Sequence, residues 1–85
     1  MPEQEQKNLI EYIIACISEF ADYHALSLKE SFNYLYRFKG ISFLTEHYNI
    51  EHTLSIEDAI NDLTLICKNN GGNIQWFYTM ALIQL

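Results

Sequence analysis

Three histidines, two cysteines and a scatter of carboxylates are the residues of this chain equipped for chemistry. A zinc site would need His24, His47 and His52 to converge with a thiol or a carboxylate. None of the three shares an i,i+4 face with another histidine or a cysteine, and no recognised ligand spacing appears. His24 closes a helical run, where the dipole favours a cationic imidazole without any ligand role. No metal and no cofactor is expected.

Nucleophilic chemistry would centre on residues 48–63, YNIEHTLSIEDAINDL. There His52 could activate a Ser or Thr such as Thr53, with Glu57 or Asp58 orienting the imidazole. No strand-turn nucleophile elbow and no Gly-rich oxyanion loop accompanies the pair. His52 and Thr53 are therefore expected to satisfy backbone groups where a loop enters a helix. Glu30, Glu46 and Glu51 show no distinctive paired-carboxylate spacing, so no catalytic residue is assigned. Cys16 and Cys67 lie in apolar helical runs, without Cys-x-x-Cys spacing or obvious activating cations. They read as two buried thiols of a reducing compartment, which points to the cytoplasm.

The elements that would position these residues are helical. Residues 9–24 carry apolar side chains at 9, 10, 13, 14, 17, 20 and 21, a three- and four-residue spacing that predicts a long amphipathic helix. Ser27 precedes a second run, with Glu30 at capping-box spacing and Leu28, Phe32, Leu35 and Tyr36 as its inward stripe. That helix is expected over roughly 28–39, ending at Lys39 with Gly40 left-handed. A short third helix, ISFLTEHY, follows, then a loop over 49–54. Ser55 with Asp58 starts a fourth helix, whose stripe is Ile56, Ala59, Ile60, Leu63, Ile66 and Cys67 and which Gly71 and Gly72 end. The fold class is all-α, a small single-domain bundle of four to five helices. The first, second and fourth helices form its core, and the third closes one end with the His-Thr loop.

Composition narrows the function classes. The 85 residues are 49% hydrophobic, with three Gly and one Pro, as suits a packed helical core near the lower size limit for folding without staples. A net charge of −6 repels a phosphate backbone, so nucleic-acid binding is disfavoured. A helix-turn-helix reader would need outward Arg, Lys, Asn or Gln on its recognition helix, whereas the third helix offers Ser42, Thr45, Glu46 and His47. The apolar runs are too short to span a bilayer and the N-terminus is polar, so no membrane role is expected.

A resemblance now follows from the residues. Tyr23-His24 ends the first helix; then come S-x-x-E-x-F (Ser27, Glu30, Phe32), L-x-x-x-Y (Leu44, Tyr48), His52-Thr53 and an acidic-start helix closing in Lys-x-x-Gly. This order resembles a small bacterial family known as domain of unknown function 3791, over roughly residues 9–71. Its members carry a Tyr-Asp-x-x-His-Thr segment, which Tyr48, His52 and Thr53 match while Asn49 departs from it. The resemblance implies a compact helical protein without an assigned activity. It also implies, by analogy, a neutralising or regulatory partner of a neighbouring-gene protein similar to ADP-ribosyltransferases.

The segment from Asn73 onward, NIQWFYTMALIQL, has no charged side chain and lies outside that resemblance. As a helix it sets Ile74, Phe77, Tyr78, Ala81, Leu82 and Leu85 on one face, with Trp76, Met80 and Ile83 on another. A small domain cannot easily cover both faces, so Leu65, Trp76, Phe77, Met80 and Ile83 are the expected interface of a homodimer or of a protein partner, the competing expectation being that the tail completes an unusually apolar intramolecular core. Glu11, Glu19, Glu57, Asp58 and Asp62 are expected either to engage that partner electrostatically or, on an equal footing, to form a solvated face that only keeps the protein soluble. The functional expectation is a protein-interaction module rather than an enzyme, with a small DNA-binding regulator as the alternative.

Overall fold

The two serines that precede an acid at the third position both start helices, and their side chains show why. In the computed structural model, which describes residues 2–75, Ser27 Oγ accepts from the Glu30 amide at 3.1 Å while Glu30 Oε1 accepts from the Ser27 amide at 2.8 Å. Ser55 Oγ accepts from the Asp58 amide at 3.1 Å. Each contact satisfies a donor that the helix start would leave unpaired.

The described residues form five helices: α1 (Glu3–His24), α2 (Leu28–Arg37), α3 (Gly40–Glu46), α4 (Tyr48–Glu51) and α5 (Ile56–Asn69). No strand occurs among them, and the fold is a small all-α bundle. Phe20 of α1, Leu35 of α2, Leu44 of α3 and Leu63 of α5 are fully buried together with Cys16 and Cys67. Each large side chain among these stabilises the fold by roughly 1.5–3 kcal/mol relative to exposure. The two thiols are free and do not form a disulfide.

Both long helix ends follow one backbone device. At the end of α1, Ala25 is left-handed (φ 56), and the Leu26 amide reaches back to the Ala21 carbonyl at 2.8 Å. At the end of α5, Gly71 takes φ 93 and the Gly72 amide reaches the Cys67 carbonyl at 2.8 Å. These bonds satisfy last-turn carbonyls, and the first also buries Leu26 against the core.

Several expectations need correction. α1 starts at Glu3 rather than at residue 9. It turns so that Cys16 and Phe20 point inward with Tyr12, Ile13 and Ile17 beside them, which leaves Ile10 and Ile14 exposed. α2 ends at Arg37 and buries Ser31, Tyr34 and Leu35, with Phe38 following. Leu28, Phe32 and Tyr36, expected inside, are exposed. The reason is Ser31, whose hydroxyl donates to the Ile17 carbonyl at 2.8 Å and lets α2 approach α1 closely. The inward set Ser31, Tyr34, Leu35, Phe38 keeps i, i+3, i+4, i+7 spacing, and a polar residue within it hid the pattern.

The left-handed residue between α2 and α3 is Lys39 (φ 69), not Gly40. Gly40 is needed for a different reason. A Cβ there would stand 2.9 Å from Leu35 Cδ2 and 3.1 Å from Cys67 Sγ, so α3 can start against the core only without a side chain. This contact, with buried Leu44, makes α3 part of the core rather than a cover at one end. Residues 49–54, expected as loop, begin with the one-turn α4. In α5, Ala59, Ile60, Leu63 and Cys67 are buried as expected, whereas Ile56 is 40% exposed and Ile66 only half-buried.

The tail expected from Asn73 falls almost wholly outside the described residues, as do Trp76, Phe77, Met80 and Ile83. Within them, Ile74 packs half-buried against the core.

Candidate functional site

The turn of the His-Thr pair is built from its own backbone upward. After α3, the His47 carbonyl accepts from Ile50 and Glu51 amides at 3.1 and 2.8 Å, which winds α4. His52 Nδ1 donates to the Tyr48 carbonyl, and its ring stacks on Tyr48 with centroids 4.4 Å apart. Thr53 Oγ1 donates to the Ile50 carbonyl at 2.6 Å. Both side chains thus add a second bond to carbonyls that already accept the backbone amides of His52 (Tyr48 carbonyl, 3.0 Å) and Thr53 (Ile50 carbonyl, 3.1 Å), which ties the end of the turn to itself. His52 Nδ1 and Thr53 Oγ1 are engaged with the backbone, and no hydrogen bond joins the imidazole to the Thr53 hydroxyl. Glu57 and Asp58, considered as orienting acids, belong to the exposed first turn of α5.

What α4 places inside the protein is Glu51, a residue to which the sequence assigned no role. It is 4% exposed, and its Oε1 has no hydrogen-bond partner. Burial pushes its carboxyl up from 4.5 to about 7, and hydrogen bonding and negative charge from Asp62 of α5 push the same way. Two carboxyls that share one site hold a proton between them more readily than either would alone. Asp62 is accordingly half-buried and turned to this pair, and is withdrawn from the acidic surface set in which it was expected.

α1 supplies the opposite wall. The Tyr12 hydroxyl is buried without a partner, and its ring meets Tyr48 edge-on at 5.5 Å. Burial raises the Tyr12 phenol far above its ordinary value, with Cys16, Glu51 and Asp62 adding to the shift. Burial also pushes the Cys16 thiol up to about 11, so it is a thiol at neutral pH and a poor nucleophile. Tyr12, Cys16, Tyr48, Glu51 and Asp62 thus form one polar knot between α1, α4 and α5. The knot can store a proton near neutrality, which is what a general acid needs. At 4% exposure, however, Glu51 meets a substrate only if α4 leaves its seat.

His24 departs from its expected dipole role. Its Nε2 lies 3.2 Å from Thr64 Oγ1, whose own proton goes to the Ile60 carbonyl, so the imidazole is the donor. Phe20 and Tyr23 flank the ring, and burial lowers its affinity for a proton. Among the described residues no three of His, Cys, Asp and Glu are grouped so as to hold a metal ion. None of their helices is long and apolar enough to cross a membrane.

The surface carries a second feature. Leu28, Phe32 and Tyr36 stand at i, i+4, i+8 on α2, exposed by 62%, 44% and 70%, and the Phe32 and Tyr36 rings stack at 5.8 Å. Lys29 and Arg37, each one position C-terminal to a member of the row, give it a basic edge, and Lys39 follows. Leu65, at 56% exposure, lies on α5 opposite its buried stripe, as the sequence placed it. Ser27 and Glu30, which carry part of the family resemblance, form the cap that begins this exposed helix.

A family model described as a protein of unknown function, DUF3791, matches residues 11–70. No curated protein and no solved structure matches the chain. The matched span holds the α1–α2 cap, the α4 turn with Tyr48, His52 and Thr53, and the Glu51–Asp62 pair.

Proposed function

The chain belongs to the DUF3791 family, and on that footing we propose that it is a small protein-interaction module rather than an enzyme. The observation that carries this reading is the row Leu28, Phe32, Tyr36. α2, which the capping box at Ser27 starts, leaves these stacked aromatics facing solvent. Large apolar side chains aligned on one exposed face mark contact surfaces, and aromatic residues dominate binding energy there. The sealed polar knot supports the same reading, since its one proton-storing carboxyl has no open path to a substrate.

The partner in this proposal is the protein encoded beside it, which this module neutralises or regulates in a bacterial cytoplasm. Two free buried thiols fit that compartment. A gene-regulatory role is the weaker reading, because the exposed face of α3 carries Ser42, Thr45 and Glu46 and no cation.

The test is co-expression with the adjacent gene's product, followed by size-exclusion chromatography with light scattering. A stable complex that the double variant Phe32→Ala, Tyr36→Ala weakens by at least about tenfold supports the proposal. Separate elution of the two wild-type chains, or a complex indifferent to the double variant, overturns it.

A further inference from the structure

Between the C-terminal end of α1 and the N-terminal end of α5 lies an open groove of about 350 Å³, lined by Glu19, Asp22, Tyr23, Ile56, Glu57 and Ile60. Its floor is apolar: Tyr23 and Ile56 are exposed by 65% and 40%, and Ile60 is buried beneath them. Its rim is anionic. No ion pair engages Glu19, Asp22 or Glu57 among the described residues, where Lys7 is paired with Glu11 and His47 lies beside Glu46.

One of these charges stands where the fold disfavours it. Asp22 lies in the last turn of α1, at the negative end of the helix dipole, with Glu19 one turn before it. His24, the basic residue of that last turn, faces Thr64 and not these carboxylates, and burial lowers its affinity for a proton. Uncompensated charge in a local conflict of this kind is expected where function requires it. The spacing of the carboxylates limits the ligand, since no three of the described acids, histidines and cysteines are grouped to hold a metal ion. Their spread around an apolar floor suits an organic cation with an aliphatic stem.

We propose that this groove seats an arginine side chain presented by a partner protein. The stem lies on Ile56 and Ile60, and the guanidinium spans the carboxylates of Glu19, Asp22 and Glu57 beside the Tyr23 ring. Arginine fits better than lysine because its planar fork bonds more than one carboxylate and stacks on an aromatic face. The inference rests on the interaction reading above and adds the partner's chemistry at a second surface.

The experiment uses the full chain labelled with nitrogen-15 and a short amphipathic helical peptide with one central arginine. A matched peptide carries citrulline, its neutral isostere. The arginine peptide is expected to shift the amides of Glu19, Tyr23, Ile56 and Glu57, and the citrulline peptide to do so at least about tenfold more weakly. The double variant Glu19→Gln, Glu57→Gln should weaken the arginine peptide by a similar factor, and added salt should weaken it further. Equal shifts with the two peptides, or none at these amides, overturn the inference. Shifts of the same amides that depend on protein concentration without peptide, and vanish in Arg37→Gln, assign the groove to a second copy and also overturn it. In either case binding through Phe32 and Tyr36 to the adjacent gene's product is measured separately, so the interaction reading stands or falls on its own.

Discussion

Replacing Glu51 by glutamine should make the protein more stable, and by an amount that depends on pH. The carboxyl is 4% exposed beside Asp62, and its folded value is about 7 against an ordinary 4.5. A raised value means that the folded state binds the proton more tightly than the unfolded chain does. Stability from this group is therefore complete below 4.5 and is lost as pH rises through about 7. At about 1.4 kcal/mol per pH unit, the full loss is about 3 kcal/mol, and about 2 kcal/mol of it falls between about pH 5.5 and about pH 8. Glutamine keeps the shape, can donate to the Asp62 carboxylate and does not titrate.

Urea unfolding of both proteins at these two pH values gives the magnitude, because titrations common to both chains cancel in the difference. The advantage of Glu51→Gln should grow by about 2 kcal/mol from the lower to the higher pH. An advantage that is constant with pH, or a variant less stable at about pH 8, would refute the buried, proton-holding carboxyl. It would mean that Glu51 reaches water in solution through movement of α4.

Asp62→Asn should act in the same direction, raising stability at about pH 8 and lowering the pH at which Glu51 titrates, as carboxyl-carbon NMR would show. Gly40→Ala should destabilise by about 1–3 kcal/mol in urea unfolding although it lies in a helix, because its Cβ meets Leu35 and Cys67. Lys39→Gly should stabilise by up to about 1 kcal/mol in the same assay, since the left-handed conformation strains any residue with a Cβ. Thr53→Ala should lower stability by about 1 kcal/mol or less, the value of its one exposed bond to the Ile50 carbonyl.

The fold class, the caps at Ser27 and Ser55 and the stop at Gly71 were legible in the sequence because each depends on residues a few positions apart. Helix rotation was not. For α2, two stripes compete, and hydrophobicity alone selects Leu28, Phe32, Leu35 and Tyr36. The structure selects Ser31, Tyr34, Leu35 and Phe38, because a serine hydroxyl finds a carbonyl fourteen residues away on α1. Glu51 was illegible for a related reason. Its partner Asp62 lies on another helix at the edge of an otherwise regular stripe, and no local spacing links the two.

These two failures have one physical origin and bear on function together. A polar residue at the core surface is invisible to periodicity, yet it decides which neighbours face inward. Ser31 is buried where an apolar residue was expected, and the displaced aromatics Phe32 and Tyr36 become the exposed row. Glu51 is buried where loop was expected, and the α4 turn carries inward a carboxyl whose protonated form is favoured by burial and by Asp62. The exposed row that carries the interaction reading thus follows from the Ser31 contact. Ser31→Ala should test that link, since it leaves the Ile17 carbonyl to intrahelical bonding alone and removes the hydroxyl that fixes the rotation of α2. If the contact sets the rotation, fluorescence anisotropy and hydrogen exchange should show Tyr34 less protected and Tyr36 more so, with a stability loss of about 1 kcal/mol. Unchanged protection at both tyrosines would show that Leu35 and Phe38 hold the rotation alone, and Ser31 would then be a passenger in the packing.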